Sequence, residues 1–254
     1  MATWIVHFRV AEGLLDAIDK LDQYQLLLGS LAPDCGVPDE KRESYDPPWE
    51  VTHFGRKSQP KWPIKDLEFY RRYLGTSGDS PRDNKRYSFL VGYFSHLVSD
   101  NLWHYDVDLP ARRKYSEEFN KDPRFIWEVI RDRIDLDFFY LKEHPKSLFW
   151  DFLDRSERVE EYLDFLPAKA IESRMEYIKG FYQSKENLKN RTNKPSVYLS
   201  AGRVEAFVER STRQVRNIYS YLNAHEHDVS RCSSTFELQL GSAGPEETEQ
   251  PISL

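Results

Sequence analysis

Cysteine is nearly absent from this chain: Cys35 and Cys232 are the only two in 254 residues. One widely spaced pair is no disulfide framework, and two reduced thiols are the expectation. Long apolar runs are lacking too. None approaches the roughly 18 residues a membrane-spanning helix needs, and mean hydropathy is −0.71. Basic excess is missing: 36 Lys+Arg against 42 Asp+Glu leave a formal charge of −6, so a nucleic-acid surface is not expected. Glycine is sparse at 11 residues, without a Gly-rich phosphate loop or a collagen-like repeat. The first residues, MATWIVHFR, have neither the basic start nor the apolar core of a signal peptide, so a cytoplasmic location is expected. What is abundant is aromatic (14 %) and charged (31 %) side chains, the mixture of an ordered, charge-coated protein.

Charge is unevenly placed. The last 22 residues, Ser233 to Leu254, hold four Glu and no Lys or Arg, so the rest of the chain carries only −2. That tail, with its Gly, Ser, Pro and Glu, reads as disordered. The division expected is one helical domain over 1–230 and a disordered tail over 231–254.

Periodicity makes the body all-α. Trp4, His7, Phe8, Ala11, Leu14, Leu15 and Ile18 recur at helical steps, with Thr3 as the expected N-cap. A short apolar stretch, Tyr24 to Leu28, follows. Between Pro33 and Pro63 lie six of the 14 prolines, too dense for a long helix; a long, functional loop is expected there. Helical patterns return over Ile64–Leu74 and Lys85–Tyr105. Further helices are expected from Asp122-Pro123 to Lys142, and over Ser147–Phe165, Ala168–Lys189 and Val197–Ala224. Strand signals are nearly absent, and the expected architecture is a multi-helix bundle.

The strongest chemical signal is Gly92-Tyr93-Phe94-Ser95-His96-Leu97-Val98-Ser99-Asp100. Four residues apart on a helix, His96 and Asp100 lie one turn from each other, close enough for an imidazole and a carboxylate to share one ion. The same spacing also suits a hydrogen-bonded pair that steadies a helix. His7 stands on an apolar stripe, where an imidazole must be desolvated. Asp34 follows Pro33 at a helix exit, where it could simply form a turn, and His53 lies within the Pro-rich stretch. Helical bundles assemble metal cages from such pieces, with one or two ligands per helix.

A histidine after W-x-x on the first helix, then A-P-D, T-H-F and G-Y-F-x-H-L-x-x-D, resembles the zinc-dependent phospholipase C family, related in fold to P1-type nucleases. The resemblance runs over about residues 1–140. It implies an all-α fold whose cleft holds one to three zinc ions, with His7, Asp34, His53, His96 and Asp100 as ligands. It also implies that Asp100 bridges two metals and that Asp34 acts as, or orients, the base for the attacking water. The secreted relatives use an N-terminal tryptophan as ligand, whereas Trp4 here follows Met-Ala-Thr. For a further metal, His104, Glu128, Asp132 and Asp135 are the residues to hand. The expected activity is hydrolysis of a small phosphoric ester or diester by metal-activated water. A catalytically inactive helical metal-binding or interaction protein is the alternative.

Overall fold

The computed structural model describes residues 1–39, 44–55, 61–75, 84–155, 157–224 and 232–242. At the centre stands α5 (Asn84–Trp103), buried without interruption from Ser88 to Trp103. A helix apolar on every side must be wrapped by others. Two of these precede it in the chain: α1 (Trp4–Glu12) and α2 (Gln23–Leu31), the latter capped by the Asp22 carboxylate, which accepts from the Gln25 amide.

The α2–α5 crossing is a backbone-to-backbone contact. A Cβ on Gly29 would lie 2.0 Å from the Phe89 carbonyl oxygen, and one on Gly92 would lie 2.0 Å from that of Leu26. Only glycine permits this approach, and it brings the α2 carbonyls within reach of side chains on α5.

Between α2 and the next long helix the chain does what its prolines demand. A 3₁₀ turn (Ala32–Asp34) leads into a two-residue antiparallel ladder of β1 (Val37–Pro38) and β2 (Tyr45–Asp46), then a single turn, α3 (Trp49–Thr52). α4 (Asp66–Tyr73) packs on α5. Past Trp103 the helix widens into a π turn, His104–Asp108, followed by α6 (Leu109–Lys114) and α7 (Ser116–Lys121). The outer helices are α8 (Phe125–Glu143), α9 (Leu148–Asp154), α10 (Ala168–Gln183), α11 (Lys185–Arg191) and α12 (Ala201–Ala224). Aromatic edges join these layers: Phe8 meets Phe149 at 5.1 Å and Trp103 meets Phe207 at 4.8 Å. The all-α bundle is the architecture the sequence pattern implies.

Several details differ, some for local and some for tertiary reasons. Thr3 is the N-cap residue of α1, as expected, but its hydroxyl caps no amide and donates instead to Asp137 at 2.6 Å. The helix expected from Asp122 starts at Phe125, because the Asp122 carboxylate turns back to the Arg124 amide. The helix expected over Ser147–Phe165 stops at Asp154, where Lys179 of α10 donates to the Leu153 carbonyl. α10 and α11 are two helices, divided at Ser184, whose hydroxyl accepts from the Asn187 amide. α12 begins at Ala201 rather than Val197, since the amides of Val197, Tyr198 and Leu199 are all held by Asp132.

The largest correction concerns the tail. Its first residues are ordered: Thr235–Ser242 form α13. The buried Asp66 carboxylate accepts from the Thr235 amide (2.8 Å), the Thr235 hydroxyl (2.6 Å) and the Asn101 amide group (3.1 Å). Phe236 stacks on Tyr105 at 3.9 Å. This anchoring depends on α4 and α5, so the tail's local composition did not announce it. Residues 243–254, for which disorder was expected, lie outside the described residues, as do His225 and His227.

Candidate metal centre

The bundle brings His7 from α1, Asp34 from the 3₁₀ turn, His53 beside α3, and His96 and Asp100 from α5 to one point. Two overlapping groups form there, His7–His96–Asp100 and Asp34–His53–His96, the ligand atoms in each lying within 4.8 Å of one another. The His7 and His96 rings stack at 3.5 Å. His53 Nε2 lies 3.3 Å from Asp34 Oδ1 and 3.3 Å from His96 Nε2.

Hydrogen bonds behind the rings set the tautomers. His96 Nδ1 donates to the Ser30 carbonyl at 2.8 Å, made reachable by the glycine crossing. The Ser99 hydroxyl donates to the His96 carbonyl (2.9 Å) and therefore accepts from His7 Nδ1 (2.9 Å). Both rings thus carry their lone pair on Nε2, facing inward, as metal ligands do. His53 Nδ1 pairs with the Thr52 hydroxyl at 2.9 Å. Tyr93 steadies the same turn by donating its hydroxyl to the Thr52 carbonyl. Ser30, Thr52, Tyr93 and Ser99 escaped the sequence reading, although Thr52 and Ser99 directly precede His53 and Asp100.

Asp100 is two-sided. Its Oδ1 accepts from the Ala2 amide (2.9 Å) and lies 3.4 Å from His7 Nε2, whereas Oδ2 lies 3.8 Å from His53 and 3.7 Å from His96. Buried polar atoms are normally satisfied, yet His7 Nε2 and Asp100 Oδ2 have no hydrogen-bond partner among the described residues. Inward lone pairs and an orphaned carboxylate oxygen fit a divalent cation and little else.

The protonation states agree. Burial first, then the adjoining His7 ring, lowers His96 to about 3, leaving a neutral imidazole at neutral pH. Burial opposes charge on Asp34, but the hydrogen bond from His53 and the other imidazoles bring its carboxyl down to about 2. Asp100 is likewise held below the usual carboxylate range, against its burial, chiefly by His7. Two ionised carboxylates beside the neutral His96 ring leave buried negative charge that a metal ion would offset.

A cavity of ≈ 630 Å³ opens from this cage, with Asp34 and His53 in its wall. His104 also lines it and stacks on Trp62 at 4.4 Å, but belongs to neither ligand group. Glu128, Asp132 and Asp135 serve elsewhere: Glu128 meets the Tyr198 hydroxyl, Asp132 caps residues 197–199, and Asp135 pairs with Arg191 at 2.7 Å. Cys35 is fully buried beside Asp34, with its thiol toward the Leu31 carbonyl, and burial keeps it protonated.

An all-α bundle whose central helix supplies a His-x-x-x-Asp pair to a buried histidine–aspartate cage is the architecture of a metal-binding hydrolase. The zinc-dependent phospholipase C family matches residues 6–219, well past the motif-bearing first 140, and the chain belongs to that family. The outer helices through most of α12 are therefore part of the family fold. No curated protein and no solved structure gives a significant match. Zinc is the family's metal, and the cage fits it.

Proposed function

We propose that the chain hydrolyses phosphoric esters or diesters, using His7, Asp34, His53, His96 and Asp100 as its metal ligands. Membership in a family of zinc-dependent phospholipid hydrolases supports the reaction class. The single observation that carries the ligand set is Asp100, whose two oxygens face different histidines while one of them lacks any donor.

Zinc bound here supplies Lewis acidity and a water acidified toward neutral pH. The chain's own residues do the rest. Asp100 turns one oxygen to each half of the cage. Asp34, ionised and 13 % exposed at the cavity wall, can orient a water molecule and accept its proton. The His96–Ser30 and His7–Ser99 bonds keep both rings in the ligating tautomer. Trp49, Trp62, Ile130 and Ile134 give the cavity an apolar wall suited to the nonpolar part of a substrate.

A structural zinc site is closed and four-coordinate; the opening of this cage onto a large cavity favours catalysis over the inactive alternative. Zinc analysis of the purified protein, combined with turnover of bis(p-nitrophenyl) phosphate and of phospholipid vesicles, tests the proposal. Bound zinc and zinc-dependent turnover, both lost in His96→Ala, are expected. Protein that holds zinc yet cleaves no phosphate ester would leave the inactive binding protein as the reading.

A further inference from the structure

The cavity wall carries a second feature that the metal centre leaves unexplained. Arg133 of α8 lines the same cavity as Asp34 and His53 and is only 5 % exposed. One Nη donates to Asp108 at 2.6 Å, and the guanidinium lies 5.3 Å from the Trp103 ring centre. Its Nε is enclosed, with no hydrogen-bond partner among the described residues. A guanidinium offers five donors in a planar fork, suited to paired phosphate or carboxylate oxygens. The second Nη makes no hydrogen bond among the described residues and is not sealed off as Nε is, so it is the donor a cavity ligand can reach.

The surrounding charge favours an anion. Asp108 is shared with the Met1 amino group at 3.0 Å, so Arg133 is not its only cation. Asp137, also in the wall, accepts from the Thr3 and Tyr182 hydroxyls, and burial pushes its carboxyl up to about 7. Lys61, Arg112 and Arg174 complete the ionic lining outside the cage, all of them cationic. A fixed, desolvated cation beside an apolar wall acts more strongly than one in water.

We propose that Arg133 is an anion-binding residue of this cavity, clamping phosphoryl oxygens of a substrate whose ester bond lies at the cage. The proposal rests on the hydrolase reading above for its choice of substrate. It assigns to α8 the task of holding the phosphate group that the cage attacks. Asp108 and Trp103 then serve to aim the guanidinium.

Inorganic phosphate is the probe, titrated calorimetrically into the full chain as isolated, with zinc stoichiometry determined in parallel. Arg133→Met should keep the wild-type zinc content while its Kd for phosphate rises about tenfold or more. Arg133→Lys should recover part of that loss, having charge without the fork. Because Arg133→Met strands the Asp108 carboxylate, Arg133→Met/Asp108→Asn is measured beside it as a charge-balanced variant. An unchanged Kd in whichever variant folds, or a wild-type protein that binds no phosphate, overturns the proposal. Wild-type protein without zinc would overturn the hydrolase reading instead, and the ratio of phosphate Kd values would still decide the role of Arg133.

Discussion

Asp100 and Asp66 are both fully buried and both meet α5, yet they do opposite work. Asp66 is satisfied by Thr235 and by Asn101, the residue next to Asp100, and it pins α13 to the body. Burial dominates there and pushes its carboxyl up to about 6. Asp100 keeps one oxygen without a donor among the described residues, and His7 and the other nearby positive groups hold its carboxyl down against burial. A buried carboxylate whose donors come from backbone and hydroxyls is a clasp. One left short of a donor among histidines is what the proposed metal site would use.

Removing each carboxylate separates the two roles most sharply. Asp100→Asn should abolish stoichiometric zinc binding and lower phosphodiesterase activity by at least about 100-fold. Zinc analysis and steady-state kinetics read this, and a variant retaining full zinc would erase the distinction. Its unfolding midpoint should also become insensitive to chelator, unlike that of the wild type.

Gly92→Ala probes the scaffold beneath the cage. The added methyl meets the Leu26 carbonyl, a backbone atom that cannot step aside, so a loss of about 3 kcal/mol is expected from urea denaturation. Zinc affinity should fall as well, because the Ser30 carbonyl retreats from His96.

Asp66→Ala should cost about 2 kcal/mol by the same measurement, with zinc content unchanged and faster proteolysis near residue 235. Parallel loss of zinc would show that clasp and cage are one unit. Ser99→Ala frees His7 from its tautomer and should weaken zinc about tenfold while the fold persists.

The smallest effect is a pH slope. Asp66 titrates at about 6 in the folded chain against 3.8 ordinarily, so between these values the folded state holds more protons than the unfolded. Its contribution to stability is therefore greatest below about pH 4, declines as pH rises to about 6, and is flat above. Asp66→Asn should remove this slope, on the order of 1–2 kcal/mol between pH 4 and 7. Denaturant midpoints at the two pH values provide the check.

The difference between clasp and cage also explains what was readable beforehand. The cage ligands sit in short, ordered motifs: a histidine on an apolar stripe, A-P-D, T-H-F and His-x-x-x-Asp. Helical spacing alone puts His96 and Asp100 on one face. Asp66, Thr235 and Ser234 form no such pattern, being separated by about 170 positions and joined only by folding. Arg133 was equally silent. A basic residue amid the charges of α8 reads as solvated surface until the cavity shows that it is buried. The same holds for helix ends. Lys179 stops α9 and Asp132 delays α12 from distant positions, and local periodicity cannot see either.

By itself, then, the sequence determined the helical class, which follows from the 3.6-residue repeat. Its ordered motifs carry the family resemblance that implies His7, Asp34, His53, His96 and Asp100 as ligands; no local rule singles out all five. Only the tertiary structure decided which buried carboxylate lacks a donor among the described residues, where the helices stop, that the tail returns to clasp α4, and that a buried arginine lines the same cavity as Asp34 and His53. Each of those depends on pairs of residues distant in sequence, whose approach is set by the packing of whole helices, such as the glycine-lined contact of α2 with α5.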